Sequence, residues 1–152
     1  MNLKIFYIGK PSVGAVKQME AHYLKMIAAF SRIEPVSVFT KNIEKAQKAG
    51  RDAARAAYTE AFSPHLGGAF TIALDERGKM PDSPGFARWL DADRPVHLFI
   101  GGAYGLEADF TARCDRALSL SSMTLSHELA RLVLLEQCYR GLSILAGHPY
   151  HK

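Results

Sequence analysis

Short runs rich in β-branched and aromatic residues, at positions 3–8, 33–39, 69–74 and 96–100, alternate with stretches whose apolar residues return every three or four positions. The first pattern is that of a buried strand and the second that of an amphipathic helix. Val16, Met19, Tyr23, Ile27 and Phe30 form one helical stripe, with Lys17, Glu20 and Lys25 off it. A second helix is predicted over 41–58, with a mostly small stripe of Ile43, Ala46, Ala53 and Ala57. The strand at 69–74 ends at 75–79, after which Asp82 or Ser83 caps a helix with Pro84 in its first turn and Phe86, Trp89 and Leu90 along it. A short helix near 106–114 and a short strand at 117–120 precede a last helix, capped by Ser126 and running from 127 to about 146. This alternation predicts an α/β fold, a mostly parallel sheet flanked by helices, with ligands beyond the carboxyl ends of the strands.

A chain of 152 residues suits one domain, taken here as 1–152. No apolar run approaches the ~20 residues of a membrane helix. The opening stretch has one lysine and a short apolar run that soon meets Gly9-Lys10-Pro11, unlike a signal peptide, so a cytoplasmic protein is expected. Cys114 and Cys138 each stand alone, which indicates reduced thiols and neither a disulfide framework nor a zinc site. A net charge of +4 suits a polyanionic partner without identifying one.

Among the loops that follow strands, Gly101-Gly102-Ala103-Tyr104-Gly105 is the richest in glycine. Glycines there let a ligand reach backbone amides, and they serve tight turns equally well. The loop is not a dinucleotide fingerprint, which belongs near the first strand, and Gly9-Lys10 lacks the upstream glycine of a P-loop. Ser63, Ser83 and Ser119 lie in no G-x-S-x-G elbow, so a hydrolytic triad is not indicated. His22, His65 and His97 read as packed or surface side chains, and His127, His148 and His151 lack the H-E-x-x-H spacing of a zinc helix.

Four blocks say more in combination. They are Leu74-Asp75-Glu76-Arg77-Gly78-Lys79 with Ser83 and Phe86-Ala87; Phe99-Ile100-Gly101-Gly102-Ala103-Tyr104-Gly105-Leu106; Leu118-Ser119-Leu120-Ser121-Ser122-Met123-Thr124-Leu125-Ser126-His127; and His148-Pro149-Tyr150-His151-Lys152. With Ile8-Gly9-Lys10 after the first strand, they make the chain resemble the RlmH family, small SPOUT methyltransferases acting on N3 of a pseudouridine in large-subunit ribosomal RNA. The resemblance spans the whole chain and is weakest between about 11 and 68.

The resemblance implies a SPOUT-type α/β knot, with a C-terminal deep trefoil knot that is an exception to the unknotted rule. It implies S-adenosylmethionine as methyl donor, without a metal, held by three loops: Leu74; Gly101 and Gly102; and Leu120, Ser121, Ser122, Met123, Thr124 and Leu125. Adenine packing on Leu74, Leu120 and Leu125, with the glycines admitting ribose and methionine, makes physical sense of that set. It implies a homodimer, with Leu129, Leu132, Val133, Leu135 and Tyr139 available for the contact and the active site completed across it. Tyr150, His151 and Lys152 are then the catalytic tail, for orientation, proton handling and charge, with no one of them singled out as the base. Lys152 stands where family members commonly carry Arg or Lys, a point charge in place of a fork. Lys10, Arg77, Lys79, Arg140 and Lys152 are candidate phosphate contacts to 23S ribosomal RNA in the assembled 70S ribosome. Two alternatives stay open: a noncatalytic ribosome-binding or assembly factor, and a SPOUT methyltransferase acting on another RNA nucleotide.

Overall fold

The computed structural model describes the whole chain, Met1–Lys152. Five strands, β1 (Asn2–Ile8), β2 (Arg32–Val38), β3 (Phe70–Lys79), β4 (Val96–Ile100) and β5 (Arg116–Leu118), form one sheet in the order β2-β1-β4-β3-β5. Every neighbouring pair is parallel. The helices are α1 (Gly14–Ile27), α2 (Lys41–Ala49), α3 (Arg51–Phe62), α4 (Ser83–Leu90), α5 (Ala108–Arg113) and α6 (His127–Leu145).

Successive strand residues point to opposite faces, and both faces are covered. Leu3, Ile5, Leu98 and Ile100 pack with Ile27 of α1, Leu90 of α4 and Leu134 of α6. Phe6, Ile8 and Phe99 pack on the other side with Ile43 of α2, Tyr58 of α3 and Phe110 of α5. The central strands β1 and β4 are therefore apolar at most positions, whereas the edge strand β2 alternates, with Arg32, Glu34 and Ser37 among its apolar residues. Helix starts also follow local chemistry: Asp82 accepts from the Gly85 amide and Ser126 from the Leu129 amide.

Three boundaries differ from expectation. The helix predicted over 41–58 is two helices, broken at Gly50, whose φ of 132° lies outside the range side chains tolerate. The break resets the helical phase, so Ala53 is exposed and Ala54 is buried in its place. β3 runs to Lys79, not to 74, because it leaves the ladder and rejoins it: Leu74 and Lys79 both pair with Leu118. Asp75 Oδ1 folds the excursion by accepting from the Arg77 amide at 2.9 Å. β5 stops at Leu118, which frees the predicted strand residues Ser119 and Leu120 to turn into the next loop.

A buried ion pair ties α6 to α1. Arg131 Nε donates to Glu20 Oε1 at 2.6 Å, its guanidinium also bonds the Ser12 hydroxyl, and it lies 4.0 Å over the Tyr7 ring. With every element of the cluster satisfied, the first turns of α6 are fixed beside the carboxyl end of β1. No helix is long and apolar enough to cross a membrane.

Candidate active site

Beyond the carboxyl ends of β3, β4 and β5 the chain forms an open cavity of about 610 Å³. That lies inside the roughly 300–1,000 Å³ typical of small-molecule sites. Three loops build it, each the continuation of a strand. Leu74 comes from the first, Gly101 and Gly102 from the second, and Leu120, Ser121, Met123, Thr124 and Leu125 from the third. Of the residues expected to hold a methyl donor, only Ser122 is absent from the wall.

The third loop is held by its own serines. The Ser119 hydroxyl donates to the Ser121 carbonyl at 3.1 Å, and the Met123 amide donates to the Ser121 hydroxyl at 2.9 Å. This leaves the amides of Leu120, Thr124 and Leu125 without a partner inside the chain. Unpaired donors beside half-buried leucines suit a flat heteroaromatic ring with acceptor nitrogens.

The glycines have a more specific reason than ligand entry. A Cβ on Gly102 would sit 2.7 Å from Tyr58 Cζ, and one on Gly101 would sit 3.0 Å from the Gly105 carbonyl carbon. Their missing side chains make room for the protein's own Tyr58 and for the turn closed by the Gly105 amide on the Gly102 carbonyl at 3.0 Å. What they offer a ligand is a bare backbone face. Tyr58 is fully buried and donates to Gln47 Oε1 at 2.6 Å, and burial, with Tyr104 nearby, pushes its hydroxyl up so that it stays protonated.

The family model described as "Predicted SPOUT methyltransferase" matches residues 1–151 of this chain. The chain belongs to the SPOUT methyltransferase family. Proteins named ribosomal RNA large subunit methyltransferase H are similar over the full length: one from Wolinella succinogenes is 42% identical over 154 residues, covering 100% of both chains. One from Campylobacter concisus is 42% identical over 152 residues with the same coverage, and one from Nitratiruptor sp. is 45% identical over 151 residues, 99% of this chain and 98% of its own. A crystal structure from Bacillus anthracis shares the fold over 99% of this chain and 97% of that chain, with a TM-score of 0.54 at 14% identity.

In this SPOUT chain the cavity wall also holds residues that the sequence did not single out for it. Arg51 and Arg55 reach it from α3, Tyr104 from the glycine loop and His127 from the start of α6. Arg55 Nε donates to the Tyr104 carbonyl at 2.7 Å, which pins that loop to α3. The signal was hidden because α3 lies in the part of the chain that least resembles the family and follows the phase break at Gly50. Asp75 and Arg77 line the wall as a pair, with Arg77 Nε and Nη2 each 3.1 Å from the carboxylate. Burial raises the Asp75 carboxyl, but the hydrogen bonds from Arg77 outweigh it and hold it below the usual carboxylate range.

The tail lies elsewhere. Tyr150, His151 and Lys152 do not line the cavity of their own SPOUT chain. The Tyr150 hydroxyl donates to Glu136 Oε1 at 3.1 Å, its ring packs 4.5 Å from that of Tyr139, and Arg140 lies 4.7 Å over it. Arg140 Nε and Nη2 bond the same Glu136 oxygen at 3.0 and 2.6 Å, and Arg140 Nη1 lies 3.3 Å from His151 Nδ1. The wall of the cavity ends at Ala130 on α6, and Glu136 stands further along by about 9 Å of helix rise. Burial and then the Glu136 bond push the Tyr150 hydroxyl up, so it remains a donor.

The apolar residues of α6 divide. Leu135 and Tyr139, expected at a partner contact, are core residues of their own chain. Leu129 and Val133 are exposed and Leu132 half-buried, and Val133 lines a hollow of about 120 Å³ with Phe86, Leu120 and Gln137. Both thiols lie outside the site, and burial pushes Cys114 up to about 11 and Cys138 up to about 12, so neither is a nucleophile.

Proposed function

We propose that this SPOUT methyltransferase transfers a methyl group from S-adenosylmethionine to N3 of a pseudouridine in 23S ribosomal RNA, on the assembled 70S ribosome. The observation that carries the reading is the cavity itself. Three strand-following loops converge on it with apolar side chains, a bare glycine backbone and unpaired amides, in a chain that is similar end to end to methyltransferases of large-subunit ribosomal RNA.

The donor supplies a methyl group already activated on a sulfonium, so this chain has to align a nitrogen with it and remove the N3 proton. Leu74, Leu120 and Leu125 hold the adenine, and the amides of the 119–125 loop read its edge. Gly101 and Gly102 line the path of the ribose and methionine. Tyr150, kept protonated and donating to Glu136, orients the base rather than accepting its proton. His151 stands beside Tyr150 with Nδ1 3.3 Å from Arg140 Nη1, and proton handling at N3 belongs to the tail as a group, with no one member singled out as the base. Lys152 favours the anion that forms.

Because the tail is separated from the cavity along α6, the working unit in this reading is a homodimer in which the tail of one copy completes the cavity of the other. The exposed Leu129 and Val133, the second lining the hollow at Phe86 and Leu120, supply an apolar face for that contact. The same reading has the chain act as one domain in the cytoplasm and has its C-terminal part threaded into a trefoil knot. Beside that part the backbones of β3 and β5 run close: a Cβ on Gly78 would sit 2.6 Å from the Ala117 carbonyl carbon, and the Ser119 amide donates to the Lys79 carbonyl at 2.8 Å.

The test is incubation of the purified protein with labelled S-adenosylmethionine and 70S ribosomes lacking the modification, followed by mass mapping of the 23S RNA. Label on N3 of a pseudouridine is the expected result. Donor binding without transfer would overturn it in favour of a noncatalytic ribosome factor, and label on another nucleotide would reassign the substrate.

A further inference from the structure

We propose that Arg51 and Arg55 form an anion subsite at the mouth of the cavity, taking one carboxylate or phosphate group of a bound ligand. The inference rests on the reading that the cavity holds the methyl donor. Three guanidinium groups line the wall, and they are not equivalent. Arg77 is neutralised by the two oxygens of Asp75. Arg51 and Arg55 make no ion pair with any carboxylate of the chain, although Glu76 also lines the cavity.

The two free guanidiniums stand four residues apart on one helix, so they occupy neighbouring positions on one face. Like charges placed there repel, which is a cost unless an anion lies between them. Arg55 is also oriented. Its Nε is committed to the Tyr104 carbonyl at 2.7 Å, which fixes the plane of the fork and leaves both terminal nitrogens without a partner in the chain. Nη2 lies over the glycine turn, 3.6 Å from where a Cβ of Gly105 would be. A planar fork held by one edge and open at the other is suited to bidentate binding of carboxylate or phosphate oxygens.

Two anions come to this mouth in the proposed reaction: the carboxylate at the amino-acid end of the donor, and the phosphates flanking the target nucleotide. Titration calorimetry with S-adenosylhomocysteine and with methylthioadenosine, which lacks the amino-acid end, separates them. It is run on the wild-type chain, Arg51→Gln, Arg55→Gln and the double variant, beside binding to 70S ribosomes over a range of salt. If the donor carboxylate is the ligand, the double variant loses roughly tenfold or more for S-adenosylhomocysteine and nothing for methylthioadenosine. If RNA phosphate is the ligand, both nucleosides bind as before and the salt dependence of ribosome binding becomes shallower by about one to two charges.

Unchanged behaviour in both arms would overturn the subsite. Equal weakening of the two nucleosides would do the same, by showing that Arg55 only holds the Tyr104 loop. Arg51→Gln, which removes no hydrogen bond within the chain, gives the answer even if loss of the Arg55 contact disturbs folding. A wild-type chain that binds neither nucleoside would instead sink the donor reading of the cavity, and the ribosome arm would then decide the subsite alone.

Discussion

The Tyr150 hydroxyl shares Glu136 Oε1 with Nε and Nη2 of Arg140, so a single carboxylate oxygen ties the last residues of the chain to α6. Glu136→Gln keeps the shape but weakens the grip on the guanidinium. Since Glu136 is outside the cavity, affinity for S-adenosylhomocysteine should stay at the wild-type value. Turnover on 70S ribosomes should fall about tenfold or more, the cost of a lost charged hydrogen bond, and amide exchange over 147–152 should quicken. Wild-type turnover in this variant would show that the tail needs no anchor.

Replacing the tail groups themselves should hit harder. Tyr150→Ala combined with His151→Ala is expected to leave donor binding intact and to lower methyl transfer by about 10²–10⁴, the range for loss of acid–base chemistry. Full activity would remove the tail from the reaction. Mixing this variant with one that cannot bind donor tests the two-copy site, because only complementary subunits should regain activity.

Gly102→Ala should destabilise the fold by about 1–3 kcal/mol in urea titration, since the new methyl meets the buried Tyr58 ring. The cost should shrink in a Tyr58→Phe background, where the hydroxyl has gone. Gly50→Ala is a control of a different kind. Nothing lies within 4 Å of the added methyl, so its cost of about 1–3 kcal/mol comes from φ alone and should not depend on Tyr58.

Acid should act through Asp75. Its folded-state pKa lies below the ordinary value, so its contribution to stability is complete above about pH 4 and is lost as pH falls through the lower folded value. Asp75→Asn should therefore lower stability at neutral pH, where the contribution is complete, and flatten the pH dependence below about pH 4, where wild type and variant converge. An identical acid limb in the variant would mean that the Asp75–Arg77 pair is equally strong in the unfolded chain.

The alternation of apolar runs and helical stripes was enough to place β1, β2 and β4 and the capped starts of α4 and α6. Burial on both faces writes itself into sequence as an unbroken apolar run, and caps depend on residues a few positions apart. The break at Gly50 was not legible, because a helix and a broken helix share composition and differ in one dihedral angle. The excursion after Leu74 escaped for a related reason: pairing two residues of one strand with a single Leu118 is a long-range fact. For the site, glycine spacing alone could not separate a turn from a ligand loop, and the resemblance of four blocks did. It did not foresee Arg51 and Arg55, which enter the wall from the least similar part of the chain, nor that Leu135 and Tyr139 belong to the core.

Leu74 and Lys79 both face Leu118, and this has a consequence for how such an enzyme can change. The segment between them begins and ends against the same residue of β5, so its length is not part of the sheet's register. Two residues could be added or removed there without shifting any other strand pairing, while the side chains at the cavity rim would be replaced wholesale. A chain built this way can retune what its rim touches and keep the rest of its architecture fixed.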